Sequence, residues 1–157
     1  METAYLQTPI GWAKIQGDEE GLKSVSVLDE APQNSDVVPE ILEDAVYQLN
    51  EYFEGKRQNF DLRLNPEGTP FQLKVWELLG TLPYGKTISY LDLSRKLGDP
   101  NAIRAVAAAN GKNPLWIIIP CHRVVGSDGS LTGYAGGLHR KKWLLDHEQG
   151  SHQQLLF

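Results

Sequence analysis

Trp116-Ile117-Ile118-Ile119-Pro120-Cys121-His122-Arg123-Val124 is the stretch on which the reading of this chain turns. Its first four residues are an unbroken apolar, mostly β-branched run with the length of a buried strand. Pro120 ends that strand, because proline has no N–H to give to a central ladder. The single cysteine of the chain is thereby set at the end of a rigid element, beside an imidazole and a guanidinium in sequence. A thiol attacks as thiolate, and a neighbouring His, Arg or helix N-terminus favours that form. Adjacent strand residues face opposite ways, so sequence adjacency does not put His122 on the sulfur, and a water between them is the route left open. Such a base wants a third group to orient it. Asp146 and Glu148 are the acids in reach of the C-terminus, Tyr90 and Tyr134 offer phenols, and Asn113 offers an amide. The competing reading is a lone cysteine that serves only as a small buried hydrophobe.

Downstream, residues 125–137 carry five glycines in 13 positions. That density predicts a loop whose backbone comes close to something. A last helix is expected over residues 141–148. Upstream, Thr69 caps a predicted helix with Pro70 at its first position, running from Phe71 to about Leu82. Ser89 caps another that ends at Gly98, and residues 102–110 form a third that ends at Gly111. Helix, tight turn and helix in so short a span fit a helix-turn-helix. The second of the pair is alanine-rich, a surface that allows close approach, and Arg104 projects from its first turn.

The first third reads differently. Residues 10–15 and 22–28 are predicted strands, joined by a hairpin loop at Gly17-Asp18-Glu19-Glu20-Gly21. A helix follows from Pro39 to Phe53 and stops at Gly55. Asn65-Pro66-Glu67-Gly68-Thr69-Pro70 reads as a linker, which divides the chain into residues 1–65 and 66–157. The 157 residues suffice for one large domain or two small ones.

No apolar run approaches the about 20 residues needed to span a bilayer. The opening Met1-Glu2-Thr3-Ala4 lacks the basic-then-apolar order of a secretory signal. One cysteine makes no internal disulfide and no multi-cysteine zinc site. These features suit the cytoplasm. The net charge of −5 conceals an asymmetry: residues 1–68 hold 14 acids against 5 bases, and residues 84–142 hold 3 acids against 9 bases. A basic half joined to an acidic one is compatible with a nucleic-acid partner despite the overall sign.

With these residues in view, Pro120-Cys121-His122-Arg123-Val124 resembles the active-site signature of the O6-alkylguanine-DNA alkyltransferases. The resemblance extends to Asn113-Pro114, to Arg104-Ala105-Val106, to Tyr134-Ala135-Gly136-Gly137, and to Trp143-Leu144-Leu145 with His147-Glu148. It is strong over residues 68–150 and loose in the N-terminal part. It implies a mixed α/β (α+β) chain: a small ribonuclease-H-like N-terminal support domain and a helical C-terminal domain with a (winged) helix-turn-helix.

The resemblance also implies roles. Cys121 matches the alkyl acceptor and His122 the residue that takes the thiol proton through a water. Glu148 orients that histidine, and Asn113 ties the helix-turn-helix to the active-site turn. Tyr90 assists base rotation and donates a proton to the leaving guanine. Arg104 enters the stack in place of the flipped nucleotide. Ala105, Tyr90, Ser127 and Arg123 complete the expected DNA contacts, and Val124, Tyr134 and Ala135 the base pocket. Ala135 departs from relatives that carry a serine there, leaving the backbone N–H as the group able to bond the guanine oxygen. No metal and no cofactor are expected.

The implied activity is single-turnover repair of duplex DNA carrying O6-alkylguanine, and of O4-alkylthymine, by a monomer working from the minor groove, without any membrane. A nucleotide inside a duplex is out of reach of a rigid thiol, so the base must leave the stack. Two other classes stand beside this reading. One is a non-catalytic helix-turn-helix protein that binds and flags alkylated DNA. The other is a Cys–His hydrolase.

Overall fold

A computed structural model describes residues 1–33, 35–131, 133–134 and 136–150. The chain divides into two compact units, Met1–Glu67 with Pro114–Ile118, and Gly68–Asn113 with Ile119–Phe157. The sequence-based division at 65/66 is contiguous; these units are not. Among the described residues no helix is long and apolar enough to cross a membrane.

The first unit is a three-stranded antiparallel meander with one helix. Strand β1 is Glu2–Thr8, β2 is Gly11–Asp18 and β3 is Gly21–Leu28, paired in that order. The β2–β3 turn falls where the sequence places it, with Gly21 at φ 135°, a conformation costly for any residue with a Cβ. Alternation puts Ala13 and Ile15 of β2 inward, with Val25 of β3. A short 3-10 turn, Glu40–Leu42, leads into α1, Glu43–Phe53. Its buried residues Ala45, Gln48, Leu49 and Tyr52 recur at helical spacing. Gln48 then pins an irregular segment twice: its amide donates to Asp61 O at 3.1 Å, and its Oε1 accepts from Asp61 N–H at 2.9 Å.

The expected strand over residues 116–119 does not form. Only Leu115 makes a bridge, parallel to Val25, with Val25 N–H donating to Pro114 O at 2.8 Å and Trp116 N–H to Val25 O at 3.0 Å. The chain then turns. Ile118 N–H donates back to Trp116 O at 2.8 Å around Ile117, whose φ of 70° is the one positive value among the described non-glycine residues. That is a γ-turn at a β-branched residue, a strained conformation that its surroundings must enforce. The apolar run signalled burial correctly, since all four side chains are buried. A continuous apolar run carries no information on whether a ladder partner exists for it.

The second unit is helical. Helix α2, Pro70–Leu79, starts with a capping box: Thr69 Oγ1 accepts from Gln72 N–H and Gln72 Oε1 accepts from Thr69 N–H. Strand β4, Ile88–Ser89, precedes α3, Tyr90–Leu97, which Ser89 caps and Gly98 ends in the left-handed conformation at φ 97°. Asp99 and Asn101 form the turn, and α4 follows at Ile103–Gly111. Trp76 Nε1 donates to Ala109 O at 2.8 Å, joining α2 to α4. Strand β5, Val124–Val125, pairs in parallel with β4, and α5, Leu138–Gln149, closes the unit.

Candidate active site

The acceptor segment is shaped by Pro120. With φ −80° and ψ 65°, Pro120 is the centre of an inverse γ-turn that Cys121 N–H closes onto Ile119 O at 2.8 Å. One turn of 3-10 helix follows, Cys121–Arg123. Cys121 is therefore held by a tight turn and a short helix, not by the end of a strand. Two amides hold the carbonyls on either side of Pro120. Asn113 Nδ2 donates to Ile119 O at 2.7 Å, and Asn110 Nδ2 to Cys121 O at 3.4 Å.

His122 is fully buried. Its Nε2 lies 2.6 Å from Glu148 Oε2, supplied by α5. Its Nδ1 is buried without a protein partner among the described residues. Burial pushes the imidazole below its ordinary pKa, against the pull of the Glu148 hydrogen bond and charge. Burial alone would raise the Glu148 carboxyl; hydrogen bonds and charge from His122 and Arg123 outweigh it and hold the group well below the usual carboxylate range. Glu148 is thus an ionised acceptor and His122 a neutral ring with its second nitrogen available.

Arg123 departs from the DNA contact expected of it. It is 5% exposed, with Nε donating to Glu148 Oε1 at 2.8 Å, Nη2 to Glu148 Oε2 at 3.1 Å and Nη1 to Leu82 O at 2.7 Å. Three of its five N–H donors are committed to a bidentate carboxylate and a carbonyl, and burial keeps the guanidinium away from the surface where a phosphate would lie. Its work is to fix Glu148, which Gly85 N–H also reaches at 3.2 Å.

The Cys121 thiol is pushed above its ordinary pKa by burial, with Asn113, Lys141 and Tyr134 pulling the other way. Lys141 and Asn110 are the residues that sequence reasoning passed over. Lys141 has no exposed surface, and its Nζ lies 5.9 Å from the centroids of both the Tyr90 and Tyr134 rings. Burial lowers its pKa, while the cysteine raises it in return. A lysine reads as solvated in a sequence, so its type carried no signal; its place one turn before Leu144 and Leu145 was the only hint.

The remaining expected residues are placed differently from one another. Arg104 and Ala105 lie exposed on α4, with Ala108 exposed beside them, and Ser127 lies exposed in the turn that Gly126 N–H closes onto Ser130 O at 2.8 Å. Tyr90 and Tyr134 are half-buried beside Lys141. Val124 has no exposed surface, so its side chain offers no open wall. Ala135 lies outside the described residues. Among the described residues no three His, Cys, Asp or Glu side chains group closely enough to hold a metal ion.

This arrangement suits one chemistry well. A buried thiol beside a neutral, carboxylate-oriented imidazole can be deprotonated at the moment of attack. A thioether, once formed there, is a linkage that a His–Glu pair does not hydrolyse.

Residues 1–66 match the family model described as 6-O-methylguanine DNA methyltransferase, ribonuclease-like domain, and residues 70–150 match the corresponding DNA binding domain. A methylated-DNA–protein-cysteine methyltransferase of Methanosarcina acetivorans is 45% identical over 153 residues, covering 94% of this chain and 98% of that one. The crystal structure of Mycobacterium tuberculosis O6-methylguanine methyltransferase superposes with a TM-score of 0.85 at 42% identity, covering 95% of this chain and 93% of the other. A crystal structure of M. tuberculosis OGT in complex with DNA gives a TM-score of 0.87 at 42% identity, covering 96% and 94%.

Proposed function

This chain belongs to the 6-O-methylguanine-DNA methyltransferase family, and on that premise we propose that it repairs alkylated DNA by direct reversal, with Cys121 as the acceptor. The enzyme is a methylated-DNA–protein-cysteine methyltransferase. The observation that carries the assignment of residues is the relay Glu148–His122, with His122 Nδ1 left available one residue from the thiol.

The step runs as follows. Cys121 passes its proton, through a water, to His122 Nδ1, and Glu148 stabilises the imidazolium that forms. The sulfur attacks the O-bound alkyl carbon; the S–C bond forms as the C–O6 bond breaks. The departing guanine takes up one proton, which the Tyr90 phenol donates in this reading. The products are an S-alkylcysteine and an unmodified guanine, so each molecule acts once. O4-alkylthymine presents the same O-alkyl carbon and belongs to the same substrate class.

Access needs the nucleotide out of the stack, at a cost of about a few kcal/mol. Arg104, on the exposed face of α4, fills the vacated place; Ala105 and Ala108 beside it let the helix seat closely in the minor groove. Ser127 contacts a phosphate, and Tyr134 and Ala135 bound the extruded base. Residues 1–65 act as a support domain and residues 66–157 carry the chemistry; the protein works as a cytoplasmic monomer.

Intact mass spectrometry after incubation with an O6-methylguanine duplex tests this. The expected result is one methyl per chain, mapped to Cys121, with no further turnover. Unmodified protein bound to the lesion would instead favour a non-catalytic damage binder.

A further inference from the structure

We propose that Asn110 is a positioning residue for alkyl transfer, whose buried amide ties the helix that meets DNA to the carbonyl of the acceptor cysteine. The proposal rests on the repair reading above and adds a residue that the reading does not use.

Helix α4 has two faces. Arg104, Ala105 and Ala108 point outward; Val106, Ala109 and Asn110 are buried on the opposite side. An asparagine is out of place in that inner row. It is a poor helix former, because its side chain competes for backbone hydrogen bonds. It is only 2% exposed, and among the described residues its Oδ1 has no protein partner. A buried polar atom without a partner gives up its water and gets nothing in return. An apolar residue of like size would pack there without that loss. What the asparagine supplies instead is Nδ2, donating to Cys121 O at 3.4 Å. The amide orientation follows from chemistry, since the flipped form would set two acceptor oxygens against each other.

The same helix end carries a second tie. Asn113 N–H donates to Asn110 O at 3.4 Å, and Asn113 Nδ2 holds Ile119 O at 2.7 Å. The two amides bracket Pro120, one on each flanking carbonyl. Of the two, the Asn110 contact is the longer. Catalytic hydrogen bonds are often long in the free enzyme and tighten in the productive complex. A duplex seated on the outer face of α4 moves the helix as a rod, and Asn110 transmits that movement to the residue whose sulfur must meet the alkyl carbon. Seating the helix and aligning the thiol then become one event.

The test uses the full chain carrying Asn110→Leu, which removes the amide and keeps bulk, with Asn110→Ala as the second variant should the leucine not fit. Three quantities are measured: the single-turnover rate on an O6-methylguanine duplex, the rate with free O6-benzylguanine, and affinity for the duplex. The expected outcome is a duplex rate lower by at least about tenfold, with free-base rate and duplex affinity each within about twofold to threefold. Equal losses on duplex and free base, an unchanged duplex rate, or a loss confined to affinity each overturn the proposal. A thermal melt on the same samples separates a folding defect, which lowers both rates together. A wild-type chain that takes up no methyl at Cys121 defeats the repair reading itself; a working wild type with an indifferent Asn110→Leu defeats this inference alone.

Discussion

Replacing Glu148 with Gln is the sharpest probe of how this site is held. The Glu148 side chain is 1% exposed, and its carboxylate accepts from His122 Nε2, from Arg123 Nε and Nη2, and from Gly85 N–H. Glutamine keeps the shape and one acceptor oxygen but removes the charge, leaving the Arg123 guanidinium buried with only Leu82 O as a full partner. Removing one member of a buried ion pair costs about 3–5 kcal/mol. For a chain of this size each kcal/mol lowers the melting temperature by about 2–4 °C, so the expected fall is roughly 6–20 °C. The surviving acceptor oxygen places the expectation in the lower half of that range. Chemistry suffers separately, because the imidazole loses the group that fixes its tautomer; a drop in the single-turnover rate of about a hundredfold is expected. Circular dichroism melts and quenched transfer reactions read the two effects. Asp146→Asn is the control, since it breaks only an exposed pair with Lys142 worth about 0.3–0.5 kcal/mol. A Glu148→Gln protein that melts within about 2 °C of wild type and transfers at the wild-type rate would refute the account of Arg123 and of His122 alike.

Arg104→Ala should slow repair of duplex DNA while leaving the reaction with free O6-benzylguanine nearly unchanged; equal losses on both substrates would remove Arg104 from base extrusion. Lys141→Met exchanges a buried cation for an apolar chain, so the melting temperature should hold or rise. The pH profile of Cys121 alkylation by iodoacetamide should meanwhile move upward, because the thiolate loses a neighbouring positive charge; an unmoved profile would exclude that electrostatic role. Stability should also fall with acid. His122 and Glu148 both bind protons less readily folded than unfolded, so falling pH favours the unfolded chain. The loss should begin as pH drops through His122's ordinary value of 6.5 and deepen below Glu148's ordinary value of 4.5. A melting temperature flat from neutral pH to about pH 4.5 would contradict the His122 assignment, and one still flat to about pH 3 would contradict that of Glu148 as well.

Much of the second unit was legible because its signals are local. Thr69, Pro70 and Gln72 cap α2 within four residues, and Ser89 and Gly98 bound α3 as read. The hairpin turn before Gly21 and the helical spacing in α1 are equally short-range. Cys121 and His122 stood out from their own residues and Glu148 was one of two candidate acids; the resemblance to a known signature chose between those acids, and the geometry brings His122 and Glu148 within 2.6 Å of each other.

What the sequence could not settle were matters of partnership over long separations. Residues 116–119 have a strand's composition, yet only Leu115 finds an edge on which to pair, and the chain turns at Ile117 instead. Arg123, Lys141 and Asn110 are polar types that read as solvated in a sequence. Folding buries all three: Arg123 against a carboxylate 25 positions away, Lys141 over two tyrosine rings, and Asn110 under the backbone of the acceptor. The sequence by itself determined the caps, turns and amphipathic faces, because those depend on residues within a turn or two of one another. The tertiary structure alone decided which charges leave water, because the cost of burying a charge is met only by a partner that the fold brings from elsewhere in the chain.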